Sequence, residues 1–246
     1  MRKVLFWLAI LLAVIPGTSR ATTLAASDVL TRSRVYLRDQ STGANRQQFP
    51  DATLLQFLSD GQREANAQNW LMQSSYTFTL TGGTTEYLMP SDLMAPLRVW
   101  FQPVGGSYIK LNATSMDQLD AQSAGWTGAS GSPTSYFIDR SSQTLYMGFY
   151  PAPTTTSTGP VIMYYVQQTQ DCTSTGCSPF NGELQLQPYV TALSYYVTYR
   201  GFMSVEEIDL AHEYLQYWTS FLMIMRQGTS KMPDFNPGFV GQHSSP

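Results

Sequence analysis

Apolar residues recur at three- and four-residue steps in two stretches near the start of the chain. Ser27 and Asp28 can cap a first helix that runs to about Arg38. Its apolar stripe holds Val29, Leu30, Ser33 and Leu37. After a polar loop, Pro50 and Asp51 can begin a second helix. Its stripe holds Leu54, Leu58, Gly61, Ala65, Asn69 and Met72. The pattern predicts two N-terminal helices.

From Ser75 onward the period changes from helical spacing to alternation. Tyr76, Phe78 and Leu80 alternate with threonines, and residues 82–83 are a Gly-Gly pair before a second alternating run, which predicts a β-hairpin. That second run holds Thr85, Tyr87 and Met89. Further strands are predicted at residues 97–102, 107–111, 136–139, 144–150 and 161–167, with a short helix at residues 114–122. We expect these strands to form a compact antiparallel sandwich or barrel.

Helical spacing resumes at Gly182. One stripe there holds Leu186, Tyr189, Leu193, Tyr196 and Val197, and Gly201 stands where a left-handed C-terminal cap is expected. Ser204 and Glu207 then predict a capping box for a last helix that ends at Gly228. Its apolar face holds Ile208, Ala211, Leu215, Trp218, Leu222 and Met225.

The order of these elements predicts an α+β fold. Helices from both ends of the chain would form a bundle, from which an antiparallel β domain grows as an insertion, and an extended C-terminal arm would follow. The predicted divisions are a hydrophobic leader at residues 1–21, N-terminal helices at 27–73, the β insertion at 74–170, C-terminal helices at 182–228 and the arm at 229–246.

Composition narrows the class of function. Only 13% of the 246 residues are charged, against roughly 25% in average globular proteins, while 13% are aromatic. Such a surface suits a large assembly or an extracellular protein. Three of the 14 basic residues lie in the leader, and the remaining cluster of Arg32, Arg34 and Arg38 lies on a predicted amphipathic helix, where a solvated face is favoured. We therefore predict no tight binding of DNA.

The first 21 residues resemble a secretory signal. Arg2 and Lys3 precede an apolar run at residues 4–15, and Ser19 and Ala21 suit a cleavage site. The run is shorter than the roughly 20 apolar residues of a membrane-spanning helix, so no membrane association is expected in the mature form. Three alternatives stay open, namely a cleaved signal, a retained hydrophobic arm or a wrongly assigned start codon.

Two cysteines, Cys172 and Cys177, lie in a loop-like segment at residues 171–179. A disulfide in an oxidising compartment and two loop thiols without a special role both stay open. A zinc site needs four ligands, and His212 and His243 lie far away in the sequence. No metal and no cofactor are expected.

No catalytic signature is present. A nucleophilic triad needs a histidine base, and neither histidine stands in such a pattern. The acids Glu206, Glu207, Asp209 and Glu213 crowd the first turns of the last predicted helix, where the helix dipole favours negative charge. The glycine pairs lack the lysine and the helix of a phosphate-binding loop. A non-enzymatic protein is therefore predicted.

Five short segments in the middle of the chain carry a family resemblance. They are residues 86–92 (EYLMPSD), 97–100 (LRVW), 131–136 (GSPTSY), 145–153 (LYMGFYPAP) and 161–165 (VIMYY). In this order they resemble the head-to-tail adaptor (connector) family of tailed bacteriophages, similar to tail tubular protein A and gateway-type proteins. The resemblance covers about residues 27–227 and implies a helical bundle with a β insertion.

The resemblance also implies a function. It predicts a virion protein at the head–tail junction, a homo-oligomeric ring of twelve subunits with the portal protein on one side and a downstream tail or nozzle protein on the other. DNA would pass through the ring without tight binding. The signal-like leader departs from this expectation, since adaptors assemble in the host cytoplasm. The alternative is a secreted or periplasmic β-rich binding protein that uses the aromatic residues between 136 and 165.

Two sets of residues are candidates for assembly contacts. The first set lies off the main apolar stripes of the last helices and is expected to form subunit interfaces: Tyr195, Tyr199, Tyr214 and Tyr217. The second set lies in the predicted arm, where prolines stiffen the chain and apolar residues can anchor it to the portal: Pro233, Phe235, Pro237, Phe239 and Val240. A frayed terminus is the alternative for the arm.

Overall fold

A computed structural model of the chain describes residues 23–40, 48–122, 125–141 and 144–230. The helices in this part are α1 (Ala26–Tyr36), α2 (Asp51–Asn69), α3 (Met116–Gln122), α4 (Gln187–Val190), α5 (Leu193–Ser204) and α6 (Ile208–Ser230). The strands are β1 (Gln73–Leu80), β2 (Glu86–Leu88), β3 (Leu93–Phe101), β4 (Ile109–Ala113), β5 (Ser130–Gly131), β6 (Ser135–Ser141), β7 (Thr144–Tyr150), β8 (Ala152–Pro153) and β9 (Gly159–Gln167). The predicted mixed α+β class is confirmed.

Helices from both ends of the chain share one apolar core. The stripes predicted for α1 and α2 are buried, with Leu54 and Leu58 fully enclosed, and Trp218 of α6 is also buried. Burying an apolar side chain of this size contributes about 1.5–3 kcal/mol. Gly61 on α2 lets the ring of Tyr196 on α5 approach, because a Cβ there would lie 2.7 Å from Tyr196 Cδ1. The core therefore joins segments that are more than a hundred residues apart.

Several predicted helix boundaries differ from the structure, among them the end of the first helix, which is at Tyr36 and not at about Arg38. Helix α1 begins at Ala26, one residue before Ser27, and α6 continues to Ser230, two residues beyond Gly228. The single helix expected from Gly182 is instead two 3-10 turns followed by α4 and α5. Pro188 accounts for part of this break, because proline has no N–H to donate within a helix.

Gly201 and Ser204 also differ from their predicted roles. Gly201 lies inside α5 rather than at its cap, and its missing side chain leaves room for Leu37, whose Cδ2 would lie 2.7 Å from a Cβ. The Ser204 hydroxyl ends α5 by donating to the carbonyl of Gly201 at 2.7 Å, so it does not cap α6. Ile208, predicted to be buried, is 45% exposed at the start of α6.

Seven strands form one curled sheet in the order β1-β9-β3-β4-β6-β7-β2. Every neighbouring pair in it is antiparallel except β4 and β6, and β5 and β8 form a separate parallel pair. The strands thus form a half-barrel, where an antiparallel sandwich or barrel was predicted. Its two edge strands approach each other, since the rings of Phe78 and Tyr87 lie 5.3 Å apart and the Tyr87 hydroxyl donates to the Thr81 carbonyl at 3.0 Å.

The predicted hairpin between β1 and β2 is wrong. Strand β1 pairs along its whole length with β9, whereas β2 pairs with β7 at the other end of the sheet. The turn between them bonds to another part of the chain and does not close a hairpin, because the Gly83 N–H donates to the Pro153 carbonyl at 2.9 Å. Gly82 packs against the backbone of Thr155, where no larger residue would fit. Alternation identified the strands but not their partners.

The β region has its own core and meets the helices through α2. Alternate residues of the central strands are fully buried, among them Val99, Phe101, Met147 and Met163. At the junction, the Asn66 side chain donates to the Gln167 carbonyl at 2.8 Å and accepts from the Met72 N–H at 2.8 Å. Asn66 thus ties the start of the sheet to the end of β9.

Candidate assembly surface

Helix α6 carries two apolar stripes. The first faces the helical core and comprises Ala211, Leu215, Trp218, Leu222 and Met225. The second repeats the same alternation of four- and three-residue steps about 100° around the helix axis. We call it the side stripe, and it comprises Leu210, Tyr214, Tyr217, Phe221 and Ile224. A helix that is apolar over two adjacent stripes has more apolar surface than its own core requires.

The side stripe continues onto α1 and α5 through contacts between aromatic rings. Tyr36 stacks on Tyr195 with ring centroids 5.8 Å apart and lies 5.6 Å from Tyr214. Tyr195 in turn lies 5.6 Å from Tyr217 and 5.4 Å from Phe221. The side stripe together with Tyr36 and Tyr195 is called the aromatic surface below. Three helices therefore contribute to one continuous patch.

Much of the aromatic surface remains accessible. Tyr217 is 46% exposed, and Leu210 and Ile224 at its two ends are exposed to a similar degree. Single exposed apolar residues are normal in soluble proteins, but a contiguous patch of large apolar side chains marks an interaction site. Tyrosine is among the residue types enriched in protein interfaces, because it supplies a large contact area together with a polar tip.

Opposite charges border the aromatic surface. The Tyr217 hydroxyl donates to the Glu213 carboxylate at 2.8 Å, and this hydrogen bond raises the pKa of Tyr217. Burial raises the pKa of Tyr214, with the Glu213 charge adding to the effect. Burial raises the pKa of Tyr195, and the positive charge of Arg32 on α1 opposes this effect. The hydroxyl proton of Tyr217 is thus engaged with Glu213, and the Tyr217 oxygen can accept a hydrogen bond from a partner.

The four tyrosines predicted as interface residues do not all meet. Tyr195, Tyr214 and Tyr217 belong to the aromatic surface, whereas Tyr199 contacts Tyr196 with ring centroids 5.8 Å apart. Tyr196 itself packs on Trp218 of the core. Tyr199 therefore lies beside the core aromatics and not within the patch. Its assignment to the same interface stays a prediction without support from this geometry.

A buried ion pair fixes the end of α1 that carries Tyr36. The Arg34 guanidinium donates to Asp39 at 2.6 Å and to the Phe49 carbonyl at 2.9 Å, and it also pairs with Asp51. Asp39 accepts from the Phe49 N–H at 3.2 Å. The arginine and Asp39 side chains are only 10% and 4% exposed. This network joins the end of α1 to the start of α2 and so orients part of the aromatic surface.

The acids near the start of α6 lie at the surface of the described part of the chain. Glu206, Glu207, Asp209 and Glu213 are exposed, and His212 beside them is exposed as well. Among the residues that the structure describes, no group of three or more His, Cys, Asp or Glu side chains could hold a metal ion. Within the same residues, no helix has both the length and the apolar character to cross a membrane.

Comparison with known families gives a match over most of the chain. Residues 24–238 match the SU10 adaptor protein family. The chain belongs to the SU10 adaptor protein family. The match includes all the helices and strands described above, and it confirms the predicted resemblance to phage head-to-tail adaptors. As a member of this family, the chain is a structural protein of a bacteriophage virion with a head–tail adaptor role.

Other comparisons add little to this SU10 adaptor assignment. No curated protein matches the chain. Among solved structures, it is similar to a chain described as the neck of an empty GTA particle computed with C6 symmetry. The two are 13% identical with a TM-score of 0.24, over 70% of this chain and 79% of that one. So distant a likeness says nothing about the partners or ring size of this adaptor.

The predicted C-terminal arm of the adaptor is only partly described. Thr229 and Ser230, which were assigned to the arm, belong to α6, because the helix continues past Gly228. The anchors Pro233, Phe235, Pro237, Phe239 and Val240 lie outside the described residues, as does the signal-like leader at residues 1–21. Their roles stay predictions.

Sequence reasoning missed four residues of the aromatic surface. Leu210, Phe221 and Ile224 complete the side stripe, and Tyr36 reaches it from α1. The spacing of the side stripe was present in the sequence, since it repeats that of the core stripe one position earlier along the helix. No sequence signal linked Tyr36 to it, because that contact joins residues far apart in the chain.

Proposed function

We propose that this adaptor is a ring subunit that joins the portal to the tail of a tailed phage and lines the DNA channel. Copies would assemble around the channel, one face of the ring meeting the portal and the other a downstream tail or nozzle protein. The observation that carries the proposal is the family match over residues 24–238. Twelve subunits are expected from the resemblance to adaptor rings.

The aromatic surface supports self-association. A ring requires each copy to use two different patches, because head-to-tail contacts close a cycle only when the patches are not the same. The aromatic surface is one such patch, with exposed apolar side chains bordered by Arg32 and Glu213. We assign to it the contact with one neighbouring copy. Tyr217, exposed near its middle, is the expected anchor.

The charge distribution suits a channel that DNA crosses without being held. The chain has 17 acidic residues and 14 basic residues, and three of those basic residues lie in the leader. Tight binding to DNA needs clustered Lys and Arg that neutralise phosphates. Arg34, one of the three clustered arginines, is instead committed to a buried ion pair. A net-negative ring would let DNA slide past.

We further propose that the segment after Ser230 docks on the portal. Its prolines restrict the chain and lower the entropy lost on binding, and its aromatic residues can fill pockets. In a ring, every copy would present one such segment, so weak single contacts would add up through multivalency.

Mixing purified adaptor with the portal of the same phage tests this function. Electron microscopy should show rings of the adaptor stacked on one face of the portal, and class averages should give their symmetry. The proposal would be contradicted if the adaptor stayed monomeric with and without portal, even at protein concentrations at which a stable ring would have formed. That result would leave the alternative of a secreted or periplasmic binding protein.

A further inference from the structure

The segment at residues 170–181, which leads from β9 back to the helices, is fastened to α2. The Cys172 N–H donates to the Ser59 hydroxyl at 2.9 Å, and the Phe180 N–H donates to the Gln62 side chain at 3.0 Å. Arg63 forms an ion pair with Asp171 at 2.9 Å. These contacts hold both ends of the segment in place but leave its middle, residues 173–176, exposed.

Two backbone carbonyls of this segment cap α1. The carbonyl of Cys177 accepts from the Ala26 N–H at 2.8 Å, and the carbonyl of Thr175 accepts from the Ser27 N–H at 2.9 Å. The first amides of a helix have no partner within the helix, and Ala25 at the N-cap has no side chain that could accept from them. Backbone carbonyls from a distant loop therefore do what a capping side chain would otherwise do.

A disulfide closes this capping loop. Cys172 and Cys177 are bonded, with their Cα atoms 5.6 Å apart. Cys172 is buried against the helical core, whereas Cys177 is only partly buried. The bond thus connects the anchored end of the loop to the residue whose carbonyl caps Ala26. Without it, Gly176 and the small polar residues before it would hold the two carbonyls only weakly.

We infer that oxidation of Cys172 and Cys177 is a late modification that locks the cap on α1 after the particle has assembled. Thiols stay reduced in a bacterial cytoplasm and are oxidised outside the cell. This order of events rests on the proposed function, since a virion protein assembles inside the cell and is then released. The cap itself rests only on the contacts described above.

The chemistry requires an external low-molecular-weight disulfide as oxidant. The partly exposed Cys177 thiolate attacks it, forms a mixed disulfide and releases one small thiol. The buried Cys172 thiolate then attacks the Cys177 sulfur and releases the second small thiol. The protein loses two electrons and two protons, and the oxidant gains them.

Hydrogen exchange on the full-length chain tests the cap. The amides of Ala26 and Ser27 should exchange about tenfold faster after reduction, because their carbonyl partners are no longer held. In the double variant Cys172→Ser, Cys177→Ser, these amides should exchange as fast as in the reduced protein, and adding reductant should not change the rate. The Leu54 amide, which donates to the Pro50 carbonyl at 3.2 Å in the first turn of α2, should not change. Equal protection of Ala26 and Ser27 in both redox states, or an equal change at Leu54, would overturn the locking role.

Thiol trapping tests the timing. Infected cells and released particles should each be quenched with acid and alkylated under denaturing conditions, so that the buried Cys172 is also reached. Both cysteines should be labelled in the cells and neither in the particles. A bond already complete inside the cell, or free thiols in released particles, would overturn the late modification. If the chain is absent from particles, the proposed function fails, whereas the exchange experiment still decides whether the disulfide locks the cap.

Discussion

The ring of Tyr196 occupies the space that a side chain at position 61 would need. The packing of α2 against α5 therefore depends on Gly61 having no Cβ. Tyr196 is buried between α2 and Trp218, and the ring cannot move without disturbing the core aromatics. Interiors are packed tightly enough that one added carbon is felt. The same argument applies to Gly201 beneath Leu37.

Gly61→Ala should destabilise the chain by up to about 2 kcal/mol. Alanine is the better helix former by about 1 kcal/mol, but overpacking costs about 1–3 kcal/mol and should win against a rigid ring. Chemical denaturation measures the difference. Gly128→Ala is the control, since nothing lies within 4 Å of a Cβ there. A Gly61→Ala variant that is more stable than the parent would show that Tyr196 can move aside.

Arg34→Met should lower stability by about 3–5 kcal/mol, because it leaves Asp39 buried without its cation. Arg32→Met on the exposed side of the same helix is the matched control and should change stability by no more than about 0.5 kcal/mol. Thermal and urea unfolding measure both variants. Similar small effects for the two would mean that Asp39 is satisfied by backbone donors alone.

At the level of elements, α6 shows how a periodic pattern can be read only in part. Its core stripe was predicted from spacing, and it is buried apart from the exposed Ile208 and the partly buried Leu215. The equally periodic side stripe was recognised only through Tyr214 and Tyr217. Spacing reports which residues share a face, but not whether a face meets the chain's own core or another molecule. That distinction depends on which other helices pack against each face of α6, and the spacing within α6 does not contain this information.

In the sheet, the sequence pattern predicted where strands lie but not which strands pair. Alternation predicted β7 at its observed bounds and β9 within two residues, since a strand buried on one face leaves a local signal. Pairing is not local: β1 joins β9 across some eighty residues, and β4 joins β6 in parallel. The local turn signal at residues 82–83 suggested a hairpin, but contacts with residues 153–155 override it.

Tyr217→Ala should impair assembly while leaving the fold intact. Tyr217 is 46% exposed and lies outside the core, so little packing is lost within one copy. Truncating an aromatic anchor at an interface typically costs at least about 2 kcal/mol of binding free energy, or roughly thirtyfold in affinity. Sedimentation and thermal unfolding measure assembly and fold separately.

Met223→Ala supplies the control for this experiment. Met223 is 62% exposed on the same helix but faces away from the side stripe. Its truncation should leave assembly unchanged. If both variants assemble like the parent, or if both fail equally, the aromatic surface is not the contact between copies.

At the scale of the whole molecule, the helices, the half-barrel and the segment after Ser230 have separate tasks in the proposed ring. A chain truncated after Ser230 should still fold, because all the helices and strands that the structure describes lie before that point. Its binding to the portal should fall by at least about tenfold, since the proposed anchors are removed. Titration of the portal with both forms measures this. Undiminished binding would assign portal docking to the helices or the half-barrel.

Electron cryomicroscopy of the mature virion tests the central claim most directly. The account predicts a ring of this fold between portal and tail, with α6 of each copy contacting its neighbour through the aromatic surface. Density for the half-barrel and the four long helices would identify the chain independently of its sequence. A neck in which this fold is missing, or a ring whose copies meet without the aromatic surface, would contradict the account.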